Sequence, residues 1–176
     1  MRFQRIVDLL AVAALVLLGL SGYLTWVSAD PGNGRQAVHL NGYTITKAPV
    51  TFALAGVIAV VVTKLAGTAL RRVLGGLVAL LGVGAVVVAL TVRPDGAELS
   101  RLRPELSDVV ANQVTQTLGP APWLALAGGI ALTAAGLLTV LTAQGWRRPS
   151  RRYERDPGAA PADQWKAIDA GEDPTL

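Results

Sequence analysis

The sequence predicts an all-α membrane protein, a four-transmembrane-helix bundle, and three observations predict it. The chain is 52% hydrophobic and only 16% charged, with a mean hydropathy of +0.46. A soluble domain cannot hide that much apolar surface in an interior built from 176 residues. The apolar residues come in long blocks of Leu, Val, Ala and Gly rather than as one stripe per helix. Four of these blocks reach the roughly 20 residues a helix needs to cross about 30 Å of hydrocarbon. They run over residues 6–27, 50–70, 73–92 and 123–141. Helix is the form they must take, because lipid offers no partner to an unpaired backbone N–H or C=O.

The first block follows Arg2 and Arg5, and Tyr23 and Trp26 at its far end are expected at the headgroup level. A secretory signal is the rival reading, since Val27-Ser28-Ala29 resembles a small-residue cleavage site. The block is longer than an ordinary signal core, and Asp30-Pro31 makes a poor context for cleavage. The loop over 28–47 places Asn41-Gly42 between Val38-His39-Leu40 and Tyr43-Thr44-Ile45. Both central residues tolerate the positive φ of a tight turn, so a small extracytoplasmic β-hairpin is expected there.

Pro49 and Pro122 stand just before the second and fourth blocks, where a missing N–H costs nothing. Only Arg71-Arg72 separates the second block from the third, which predicts an antiparallel helical hairpin with a short turn. In the loop over 93–122, Leu106, Val109, Val110, Val114 and Leu118 recur at helical spacing after Pro104, predicting a short amphipathic helix. Trp123 and Trp146 bracket the fourth block. Within the spans, Ala55, Ala59 and Thr63, and likewise Ala127, Ala131 and Ala135, form small-residue faces that permit close helix approach.

The membrane domain is therefore expected over 1–146, a basic juxtamembrane segment and linker over 147–162, and a distinct C-terminal motif over 163–176. Arg147, Arg148, Arg151, Arg152 and Arg155 would each gain about 1 kcal/mol beside anionic lipid. The Pro/Ala/Gly run that follows cannot build a core. Ten Lys and Arg residues fall on the face that carries both termini, and five on the other. Retention of positive charge inside then puts both ends in the cytoplasm of a plasma-membrane protein.

The chain has no cysteine and one histidine, His39, so thiolate and multi-histidine metal sites are not expected. It carries no nucleophile elbow, phosphate-binding Gly-rich loop or clustered intramembrane carboxylates, so no enzyme and no cofactor is expected. The net charge of +4 sits beside hydrophobic blocks, which points to lipid and not to nucleic acid. Asp8 and Lys64 are the only ionisable residues within the blocks. Both lie near cytoplasmic ends, where Asp8 can pair with Arg5 and Lys64 can extend to the headgroups. A bridge between the two would join the first and second spans.

The tail places Trp165 and Ile168 three apart, with Asp169, Glu172 and Asp173 beyond them, so one helical turn could present an anchor to a protein partner. With the upstream Arg152-Tyr153-Glu154-Arg155, the ending Trp165-Lys166-Ala167-Ile168-Asp169-Ala170-Gly171-Glu172-Asp173-Pro174-Thr175 resembles that of the actinobacterial tryptophan-biosynthesis-associated membrane proteins. The resemblance is close over about a dozen tail residues and agrees in outline over the four-span layout. It implies a membrane protein encoded beside tryptophan-pathway genes and supplies no activity. Two readings stand at this level: an accessory or scaffold that docks a partner through the tail, and a small permease or efflux component for tryptophan or a related metabolite. Either admits a homo-oligomer.

Overall fold

A computed structural model describes residues 2–30, 36–102 and 115–145, all within one compact unit, Met1–Trp146. Four helices in it are long and apolar enough to cross a membrane: α1 (Arg2–Tyr23), α3 (Ala48–Leu65), α4 (Thr68–Thr91) and α6 (Ala121–Thr142), the last continued by a 3-10 turn at Ala143–Gly145. They pack as a ring in the order α1–α3–α4–α6, with the α4–α6 contact the most extensive and α1–α3 the least. This is the expected four-helix membrane bundle.

Three strands and two short helices gather where α1 and α4 end and α3 and α6 begin: β1 (Thr25–Asp30), β2 (Val38–Asn41), α2 (Gly42–Ile45), α5 (Gly96–Leu102) and β3 (Thr115–Leu118). β1 is central and pairs antiparallel with both neighbours, Ser28 opposite His39 on one side and opposite Thr117 on the other. Ala29, Leu40 and Leu99 form a small core here, apart from the bundle's own. A single two-stranded ribbon would be marginal; a third strand from the second loop and a covering helix make it a stable cap.

The hairpin thus exists, but its strands are β1 and β2, and Asn41-Gly42 is not its turn. Asn41 is extended (φ −82°, ψ 166°) and caps α2, its Oδ1 accepting from the Thr44 N–H at 2.9 Å and from the Thr44 hydroxyl at 2.7 Å. Asn serves as well at a helix N-cap as in a turn, and here the cap wins. Gly42 is required by crowding, since a Cβ there would meet the Ser21 carbonyl oxygen and lie 2.9 Å from the Gly22 Cα.

The first span stops at Tyr23, so Trp26 belongs to β1 and is fully buried, its indole N–H 3.4 Å from the Val92 carbonyl. It is a core residue where an interfacial anchor was expected. The cleavage-like Val27-Ser28-Ala29 lies in the middle of that central strand. Tyr23 and Trp123 are 73% and 66% exposed, as residues at a headgroup boundary would be. The amphipathic-helix expectation falls mostly on 103–114 and Trp146 on 146, outside the described residues. Its last part is corrected, because Leu118 is in β3. The turn between α3 and α4 is Ala66-Gly67, so Arg71 and Arg72 lie inside the first turns of α4.

Small residues do line the helix contacts, and the expected faces hold in part: Ala59, Thr63 and Ala135 are buried. Ala55 and Ala127 are exposed, while Gly75, Gly82, Gly129 and Gly136 are buried where α4 meets α6. A Cβ on Gly136 would strike the Ala79 amide and come within 2.7 Å of the Gly75 carbonyl. One on Gly82 would strike the Thr133 amide and come within 2.8 Å of the Gly129 carbonyl. The two backbones therefore touch, the geometry that glycine permits between membrane helices.

Candidate functional site

A buried charged side chain and an ion pair lie at the bundle end opposite the sheet, where α1 and α4 begin and α3 and α6 finish. Arg71 is the buried charge. The side chain is 1% exposed, and its guanidinium donates to three carbonyls: Nε to Thr63 at 3.0 Å, Nη2 to Ala66 at 2.8 Å and Nη1 to Ala143 at 3.1 Å. Thr63 and Ala66 end α3, and Ala143 follows α6, so one side chain rooted in α4 caps two other helices. The last carbonyls of a helix have no intrahelical donor and carry its negative dipole end. A planar fork of donors suits several such oxygens at once, and bonding each of them offsets the large cost of burying the charge.

The sequence marks Arg71 only as a turn residue and a topology charge. No local signal separates it from Arg72, which is exposed. What differs is the helical face, and the face is set by the Ala66-Gly67 turn.

Asp8 and Lys64 meet nearby. Lys64 Nζ lies 3.0 Å from Asp8 Oδ1 and 3.1 Å from Oδ2, joining the first turns of α1 to the last turn of α3. Asp8 thus pairs across helices with Lys64 and not along its own helix with Arg5. Both side chains remain about half exposed, at 41% and 50%. The remaining buried polar side chains among the described residues are hydroxyls turned onto their own helices: Ser21 to Leu18 at 2.6 Å, Thr63 to Val60 at 2.6 Å and Thr139 to Ala135 at 2.8 Å.

On the sheet, Ser28 Oγ and His39 Nδ1 are 2.8 Å apart and exposed to solvent. No group of three or more metal-ligating side chains occurs among the described residues. The five arginines of the basic stretch, and Trp165, Ile168, Asp169, Glu172 and Asp173, lie outside them.

What this end can do chemically is hold four helices in register; Arg71 is occupied with backbone carbonyls and Asp8 with Lys64. Comparison with known proteins gives the chain its context. A family model described as tryptophan-associated transmembrane protein matches residues 7–175. No curated protein matches the chain.

Proposed function

We infer function from the premise that the chain belongs to the tryptophan-associated transmembrane protein family: it is a non-enzymatic accessory or scaffold whose tail docks a protein partner at the membrane. The observation that carries this reading is the extent of the family match. It continues past the last span to residue 175, although crossing the bilayer needs nothing beyond α6. A shared region that outlasts the membrane domain implies that the tail has work of its own. Trp165 and Ile168 would supply the apolar anchor, and Asp169, Glu172 and Asp173 an acidic surround for a basic site on the partner.

The charge count supports a reading with both termini in the cytoplasm of the plasma membrane. There the five arginines from Arg147 to Arg155 would hold the start of the tail against anionic lipid and present its end to soluble proteins. The alternative, a permease for tryptophan or a related metabolite, asks for polar groups directed into a path. Support for that is weaker, because the buried Ser21, Thr63, Arg71 and Thr139 all bond to backbone carbonyls.

Crosslinking in intact cells, followed by affinity capture of the full-length chain, tests the docking reading. Trp165→Ala should lose the tail-dependent partner as completely as a chain ended after Arg155. Retention of every such partner by the Trp165→Ala chain would overturn it. A defect in tryptophan export or uptake on deletion, unaffected by Trp165→Ala, would favour the permease instead.

A further inference from the structure

Because α4 and α6 touch through glycines, the side chains beside that seam have to cover it from two sides. On the inner side α1 and α3 do so. The outer side is left as a groove. Val83, Val86, Ile130, Thr133, Ala134 and Leu137 line a hollow of about 330 Å³ there, and Val83, Ile130 and Leu137 are each roughly half exposed. The Thr133 hydroxyl is already bonded to the Gly129 carbonyl at 2.8 Å, so the hollow presents an apolar wall.

A smaller hollow of about 30 Å³ lies toward the sheet, where Leu90, Arg93, Pro122, Trp123 and Leu126 come together. Both belong to one flank of the helix pair. Val83 and Leu90 are seven residues apart, as are Val86 and Arg93, and Trp123, Ile130 and Leu137 repeat at the same interval. Seven residues are close to two helical turns, so each series stays on one side. From Trp123 to Leu137 the track is about 21 Å long, more than the roughly 15 Å of hydrocarbon in one leaflet.

The ends of this track differ in chemistry. Its floor is aliphatic. Its mouth has the exposed indole of Trp123 and the guanidinium of Arg93, whose Nη1 donates to the Ala89 and Val92 carbonyls at 3.2 and 3.0 Å. Among the described residues its Nε and Nη2 make no hydrogen bond. A cation with open donors and an indole above an apolar trough match an amphiphile with an anionic head.

We propose that the outer α4–α6 groove binds one anionic phospholipid of the sheet-side leaflet, its phosphate on Arg93 and one acyl chain laid along Val83, Ile130 and Leu137. The hollow's size suits a methylene chain, whereas a helix about 10 Å across would not enter it.

Native mass spectrometry of the full-length protein, released from nanodiscs of equal phosphatidylglycerol and phosphatidylcholine, tests this. One lipid should be retained, with phosphatidylglycerol preferred about fivefold. Arg93→Gln should bring that preference close to parity, and Ala134→Trp should remove retention of both lipids. Leu54→Trp, on the exposed face of α3, is the control and should do neither. Should Ala134→Trp not fold by circular dichroism, Val83→Phe fills the same hollow and carries the same expectation. The proposal is overturned if Arg93→Gln keeps the wild-type preference, or if the groove-filling chain retains lipid as Leu54→Trp does. It is equally overturned if the wild type is a dimer that the groove-filling substitution converts to monomer, since the groove would then hold a second copy.

Discussion

The α4–α6 seam and the α1–α3 contact are built on opposite plans. Across the seam, Gly75, Gly82, Gly129 and Gly136 let two backbones meet, and Arg71 adds its charge only where the seam ends. Across α1–α3, the least extensive contact of the ring, Asp8 and Lys64 supply an ion pair about half open to the surroundings. In lipid there is little hydrophobic gain from bringing helices together, so close packing or specific polar contacts must hold them. This bundle uses the first across α4–α6 and the second where the helix contact is least extensive. Arg71 joins the two plans, since it is rooted in α4 and capped onto α3 and α6.

The sharpest way to break that contrast is to insert bulk into the seam. Gly136→Leu should destabilise the bundle by about 3 kcal/mol, because its Cβ would meet the α4 backbone at both Ala79 and Gly75 and neither helix can move without losing other contacts. Gly76→Leu, on the same α4 helix but with open space around it, should change stability by no more than about 0.5 kcal/mol. Thermal unfolding in detergent followed by circular dichroism reads both. Equal effects would mean that the seam is not where the stability resides.

Arg71 comes next. Arg71→Met should cost about 2 kcal/mol by stranding carbonyls at two helix ends, and Arg71→Lys should recover only part of it, because an ammonium cannot reach three oxygens in one plane. Arg72→Met should be nearly silent, and the difference between these adjacent positions is the measurement that matters.

The smallest effect belongs to the ion pair. Asp8→Lys and Lys64→Asp should each cost up to about 1 kcal/mol, with the double exchange restoring most of it, since so open a pair is screened. The coupling should shrink as salt rises. A coupling as large as the effect of Gly136→Leu would invert the comparison.

Several features escaped the sequence for identifiable reasons. Asn41-Gly42 is equally good chemistry for a turn and for a helix start, and only the pairing of β1 with β2 and β3 selected the second. β3 comes from a loop far along the chain, and nothing local announces its partner. Trp26 closes the first apolar block like an interfacial ring, yet the β1 register turns it inward. Small residues were rightly expected to govern helix contacts, and Ala59, Thr63 and Ala135 are buried as their spacing suggests, but the closest approach is made by glycines seven apart.

The sequence alone determined that this chain crosses a membrane, how many times, and which family it resembles. Those properties depend on run length, composition and a contiguous tail motif, and each is local or additive along the chain. Which arginine is buried, which glycines touch, and that Asp8 meets Lys64 and not Arg5 were decided only by tertiary structure. Such pairings depend on the rotation of each helix about its own axis, and that rotation is fixed by all its neighbours together.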